Sequence, residues 1–268
     1  TGGKTITDLG SSYETANALA LQADGKIISV GSVYGTSVDF GIVRYNSNGS
    51  LDSSFGSGGI VITSIEEEDQ ANAVSVQADG KIVVAGYSSI SAKGDFSVAR
   101  YNTDGTLDKN FGTAGTVTTH LQSSDLGYSL LLHSNGKILV GGTAGYVQTL
   151  GGPLGLVQYN EDGSLDTDFG TGGKSIIPTG KPHFVWSMVR QPDGKIFIGG
   201  ESKIGNNDNQ WSLARTLPNG KIDSTFGTNG VVNTDLPGTT EYSTSMLIQS
   251  DSKVVMAGRA GEAGSFDL

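Results

Sequence analysis

Glu14, Asp69, Asp125, His183 and Glu241 recur along the chain at intervals of 55, 56, 58 and 58 residues. Side chains spaced so evenly belong to one repeated unit, so they are expected to form a ring of four carboxyls and one imidazole around a common axis. Such a ring offers acceptor oxygens to a cation, a sugar hydroxyl or a basic group. Two of its carboxyls, held about 5 or 6.5–9.5 Å apart, would also suit hydrolysis of a glycosidic bond. The same residues read equally as turn caps, because short acidic side chains bond nearby backbone amides.

Aromatic residues that break the repeat are the next ligand candidates. Tyr34, Tyr146 and Tyr242 fall in loops, where a ring face with a polar tip suits a sugar or a peptide side chain. Trp186 and Trp211 fall on strand positions and read as core. Asn46-x-Asn48-Gly49, Asn102-x-Asp104-Gly105 and Asn160-x-Asp162-Gly163 resemble the opening of a calcium loop but lack its closing bidentate Glu. They read as Asx turns, so no cofactor and no metal is expected, calcium being the one ion the pattern admits. Arg44/Asp52, Arg100/Asp108 and Arg215/Asp223 stand eight apart and read as structural ion pairs. Gly3-Lys4-Thr5 and Gly173-Lys174-Ser175 lack the leading Gly of a phosphate loop and precede strands. His120, His133 and His183 have no metal-ligand spacing, and no serine-nucleophile motif occurs, so no catalytic residues are assigned.

The elements that must hold these residues are read from the repeat. The blocks around Lys26, Lys81, Lys137, Lys195 and Lys253 run ANALALQADGKIISVG, ANAVSVQADGKIVVAG, GYSLLLHSNGKILVGG, VWSMVRQPDGKIFIGG and STSMLIQSDSKVVMAG. A second block follows in the first four copies, as FGIVRYNSNGSLDSSFG in the first. The copies divide at about 1–56, 57–112, 113–170, 171–227 and 228–268. Apolar runs separated by Asp-Gly and Asn/Asp/Gly turns give four antiparallel strands per copy. The expected fold is all-β: one domain over 1–268, a five-bladed β-propeller of four-stranded antiparallel blades. Thr5–Leu9 is expected to pair with Ser265–Leu268 and close the ring, leaving no free edge. The well-kept turns fall on one face, and the variable loops and crossovers on the other, which is the expected binding face.

The blocks Gln-x-Asp-Gly-Lys-Ile and Arg-Tyr-Asn-x-Asp-Gly-x-Leu-Asp-x-x-Phe-Gly resemble the delta-60 repeat family of bacterial exported proteins. The resemblance spans essentially the whole chain and implies a β-propeller at or beyond the bacterial cell surface, without shared catalytic residues. Ser252 for Gly, Gln158 for Arg and Thr216-Leu217 for Tyr-Asn depart from the pattern. A net charge of −10 repels nucleic acid, and no run approaches the ~18 apolar residues of a membrane-spanning helix. With no cysteine there is neither a disulfide framework nor thiol chemistry. The start at Thr1, without Met or a signal pattern, reads as processed or engineered. Near-uniform repetition favours a non-catalytic binding or spacer module, a monomer within a larger protein, that recognises a glycan or peptide. The alternative is a carbohydrate-active enzyme, a glycoside hydrolase or lyase, using axial carboxylates.

Overall fold

A computed structural model of the chain describes residues 3–148, 151–179, 183–204, 208–236, 240–262 and 265–267. In the first copy β1 (Tyr13–Glu14) and β2 (Ala18–Leu21) both pair with β3 (Ile27–Tyr34), followed by β4 (Val38–Tyr45) and β5 (Ile60–Thr63). The second holds β6 (Glu68–Val76), β7 (Ile82–Ile90), β8 (Lys93–Tyr101) and β9 (Thr116–Thr119). The third holds β10 (Leu126–Leu132), β11 (Ile138–Thr143), β12 (Leu154–Tyr159) and β13 (Lys174–Ile177). The fourth holds β14 (His183–Arg190), β15 (Ile196–Lys203), β16 (Asn209–Thr216) and β17 (Val231–Thr234). The last holds β18 (Thr240–Ile248), β19 (Val254–Glu262) and β20 (Ser265–Asp267). Apart from β1 and β2, which both pair with β3, sequential strands within each copy pair antiparallel, and one parallel bridge, Val38 to Glu68, links the first sheet to the second. Among the described residues no helix is long and apolar enough to cross a membrane.

The core lies between consecutive sheets, because both faces of the middle strands are apolar. Ile28, Val30, Phe40 and Ile42 of the first sheet pack with Ile82 and Val84 of the second, against partly buried Val74 and Val76. Each such side chain contributes roughly 1.5–3 kcal/mol on burial. A polar cluster recurs beneath the Asn/Asp turns. Arg100 pairs with Asp108 at 2.8 Å, Lys81 reaches the same carboxylate at 3.1 Å, and the guanidinium lies over Phe111. Arg100 Nη1 also donates to Glu161 O of the next sheet, as Arg44 Nη1 does to Thr103 O at 2.5 Å. In the third copy Gln158 replaces the arginine, and its Nε2 donates to Asp166 Oδ2 at 2.5 Å, beside Lys137 at 2.7 Å.

The first strand of every copy crowds one glycine of the second. A Cβ on Gly31, Gly86, Gly142, Gly200 or Gly258 would lie 1.8–2.1 Å from a backbone carbonyl oxygen of that first strand. The register slips there: Ala71 faces Gly86 and Ala73 faces Ala85, leaving Asn72 as the extra residue of a β-bulge. The third, fourth and fifth copies slip identically, around Tyr128, Trp186 and Thr244.

The expected closing ladder is not formed among the described residues. Thr5–Leu9 forms no strand, Ser265–Asp267 pairs with Val254–Glu262, and Leu268 lies outside the described residues. The N-terminal segment is held by the first sheet instead. Tyr45 Oη donates to Thr7 Oγ1 at 2.8 Å, repeating the Tyr101–Thr63 and Tyr159–Thr119 bonds that tie each sheet to the outer strand before it. Leu19 and Leu21, the counterparts of packed Val74 and Val76, are 70% and 72% exposed.

Gly86→Ala should destabilise the protein by roughly 1–3 kcal/mol or more, because the bulge must shift to admit the methyl group. Ser252, at a φ of 66° where the other copies have glycine, should behave oppositely. Ser252→Gly should add about 1 kcal/mol by relieving a left-handed non-glycine residue. Denaturant melts of both variants check the pair.

Candidate functional site

The bulge decides which side chain reaches the axis. Asn17, Asn72, Tyr128, Trp186 and Thr244, the extra residue of each first strand, all line one pocket, to which the five copies contribute in turn. Beside them on the second strands stands the residue after the crowded glycine: Ser32, Tyr87, Thr143, Glu201 and Arg259. Glu201 and Arg259 line the pocket, with Tyr242 and Ser243. Both directly precede variable loops, so the pocket lies toward the loop face.

Contacts run around the axis from sheet to sheet. Asn17 Nδ2 donates to Ala71 O at 2.9 Å, and Asn72 Nδ2 to Gly127 O at 2.8 Å. The rings of Tyr128 and Trp186 have centroids 4.7 Å apart, with Tyr87 6.4 Å from Tyr128. Trp186 Nε1 donates to Glu201 Oε2 at 2.5 Å, and Ser243 N of the fifth sheet donates to Glu201 Oε1 at 2.7 Å. The Arg259 guanidinium lies 4.9 Å from the Tyr242 centroid.

Burial decides the electrostatics of Glu201. Desolvation pushes its carboxyl up to about 7, against the opposing pull of the Trp186 and Ser243 hydrogen bonds and the Arg259 charge. Near neutrality this group therefore exchanges a proton and can both accept and donate a hydrogen bond. Burial also pushes the Tyr128 phenol up to about 12, so it stays a neutral donor. Trp186 remains 36% exposed, leaving ring surface available to a ligand.

The residues expected to ring the mouth sit elsewhere. Asp69 shares a strand face with buried Ala71 and points between sheets, where it accepts bonds from Ile65 N and Glu66 N at 2.6 and 3.1 Å. Asp125 accepts from Leu121 N, Gln122 N and Gly145 N at 2.6, 3.0 and 3.0 Å. Burial raises both carboxyls above the usual range. Glu241 is buried and takes Leu236 N at 3.3 Å, while half-buried Glu14 takes Ser11 N at 3.1 Å. His183 is buried and its backbone pairs with Gly152. Tyr146 packs edge-on against Phe184, centroids 6.0 Å apart, and does not line the pocket. Of the seven candidates, Tyr242 alone lines it. Trp186, read as core, faces the axis instead, because a bulge rather than simple alternation sets its direction. Glu201 and Arg259 were open to detection as a divergent column directly after the best-kept block.

The comparisons agree with this architecture. The chain belongs to the family described as "Domain of unknown function (DUF5122) beta-propeller", whose model matches residues 22–55, 77–111, 133–169 and 191–226. No curated protein matches it. Among solved structures it is similar to a protein of unknown function from Dyadobacter fermentans, at 12% identity over 93% of this chain and 76% of that one, TM-score 0.56. It is also similar to a polysaccharide lyase PL25, an ulvan lyase, at 11% identity over 96% and 69% of the two chains, TM-score 0.50. A GH43_1 enzyme from Xanthomonas citri aligns at 10% identity over 95% and 90%, TM-score 0.41. These likenesses describe the fold. The expectation that this chain is not an enzyme is corrected on its own warrant, repetition of the fold, because a polysaccharide lyase has a similar fold.

The raised Glu201 carboxyl makes stability pH-dependent. Its folded pKa lies above its unfolded value, so the folded state binds more protons between about pH 4.5 and about 7. Stability should fall with rising pH through that window, by an amount on the order of 3 kcal/mol. Glu201→Gln should remove the Glu201 part of that slope, leaving the part that the raised Asp69 and Asp125 carboxyls supply, while lowering stability overall, since one amide nitrogen cannot accept a hydrogen bond. Thermal melts at pH 4.5–8 check both.

Proposed function

We propose that this chain is a carbohydrate-recognising propeller, closed as a five-bladed ring, whose ligand enters the axial pocket from the loop face. The observation that carries the reading is the joining of Tyr128 and Trp186, tilted against each other with centroids 4.7 Å apart, to a carboxyl that titrates near neutrality. Sugar rings present apolar C–H faces to aromatic surfaces and hydroxyls to groups that accept and donate. Asn17, Asn72 and Thr244 add neutral polar contacts on the same pocket wall. Resemblance to exported repeats supports a bacterial cell-surface or extracellular setting, as a monomeric unit of a larger protein.

One observation favours a second reading, cleavage of the bound glycan. Glu201 has the raised pKa that a general acid needs. Among the described residues that line the pocket it is the one carboxyl, so a two-carboxylate hydrolysis has no second acid there.

A panel of immobilised bacterial and plant polysaccharides, followed by titration with the retained glycan, tests the proposal. Trp186→Ala and Glu201→Gln should each weaken binding by roughly tenfold or more, as loss of an aromatic or buried polar contact of about 1.4 kcal/mol would. Asp104→Ala, on the turn face, should not. No retained glycan, or unchanged affinity in both axial variants, would overturn it. Release of reducing ends or unsaturated products by the wild type, lost in Glu201→Gln, would establish cleavage.

A further inference from the structure

At the junction of the second and third sheets three metal-binding atoms of two chemical kinds meet. His120 Nδ1 lies 2.7 Å from Asp95 Oδ1 and 3.9 Å from Asp125 Oδ2, and all three lie within 4.8 Å of one another. The fold does not require this trio. In the neighbouring junction Asp39 and Asp69 occupy the two carboxylate positions, but Ser64 stands where His120 does. In the next junction the corresponding residues are Pro153, Pro178 and His183. Only one copy therefore brings an imidazole to the repeated carboxylate pair.

The surroundings resemble those of a ligand set. Asp125 is fully buried and its carboxylate is fixed by three backbone amides, Leu121 N and Gln122 N on Oδ2 at 2.6 and 2.9 Å and Gly145 N on Oδ1 at 3.0 Å, so an ion would share Oδ2 with those amides. Asp95 sits on β8, so its backbone is fixed by the sheet. The His120 side chain is 66% exposed, leaving the outer side of the cluster open to water. A tetrahedral ion with bonds of about 2.0–2.2 Å separates its ligands by about 3.3–3.6 Å, between the 2.7 and 3.9 Å found here. One nitrogen and two carboxylate oxygens suit zinc, cobalt(II) or nickel(II). Calcium and magnesium ask for more oxygens than the cluster offers.

We infer that Asp95, His120 and Asp125 form a divalent transition-metal site with solvent-facing coordination positions, independent of the axial pocket. In the neutral imidazole tautomer that carries its proton on Nε2, His120 Nδ1 gives its lone pair to the ion beside the two carboxylates, and no covalent bond is broken. Metal-stripped protein titrated with zinc chloride by calorimetry, and with cobalt(II) by visible absorption, tests the assignment. One equivalent should bind in the micromolar range. His120→Ala and Asp95→Asn should each weaken binding by about tenfold or more. His133→Ala should leave it unchanged, since that ring stands against Arg190 in another copy. Asp95→Asn keeps a side chain of the same size, so a circular-dichroism spectrum and melting point close to wild type separate ligand loss from misfolding. Absence of a stoichiometric site, or equal affinity in the His120 and Asp95 variants, would overturn the inference.

Discussion

The structure depends on one close approach, a first-strand carbonyl pressed against a side-chain-free carbon of the second strand. Only glycine fits there, since a Cβ would stand about 2 Å from the carbonyl oxygen, well inside contact distance. The register shift beside it follows in four of the copies, and with it an extra residue whose side chain cannot join the alternation of the sheet. That residue faces the axis in all five copies. One local backbone requirement, repeated, thus supplies a ring of freely variable side chains on a frame that tolerates little variation. The neighbouring column, after the glycine, is variable too, and the two columns together build the pocket.

Symmetry of the frame and asymmetry of its contents have different consequences. On the first two sheets the axial side chains are asparagines that brace one sheet against the next. On the third and fourth they are aromatic, and the fourth and fifth add Glu201 and Arg259. Chemistry collects on one side of the axis, where a buried carboxyl keeps its proton to higher pH than in water. The acids of the repeated column, Glu14, Asp69, Asp125 and Glu241, bond backbone amides in the crossovers and shape the loops rather than the pocket.

The frame was legible in the sequence because its determinants are local. The Asp-Gly turns, the apolar runs and the arginine eight residues before its aspartate each specify contacts within one copy, and the structure forms them. The acidic column was legible as a repeated position but not as a direction: Asp69 and Asn72 lie three residues apart, and the bulge between Ala71 and Ala73 separates what points between sheets from what points to the axis. Trp186 was misplaced for the same reason. Glu201 stayed hidden because its importance comes from burial, supplied by Trp186 and by Ser243 on the next sheet, 42 residues away. The metal-type cluster was hidden similarly, since Asp95, His120 and Asp125 have no ligand spacing along the chain and meet only when two sheets pack.

The central claim is that Glu201 titrates near neutrality in contact with the Trp186 indole at the axis. Trp211→Phe leaves Trp186 as the one tryptophan, and its fluorescence can then be followed against pH. A single transition centred near pH 7, absent when Glu201→Gln is added, is the result this account predicts. A signal flat from pH 5 to 9, or one unchanged by Glu201→Gln, would contradict it.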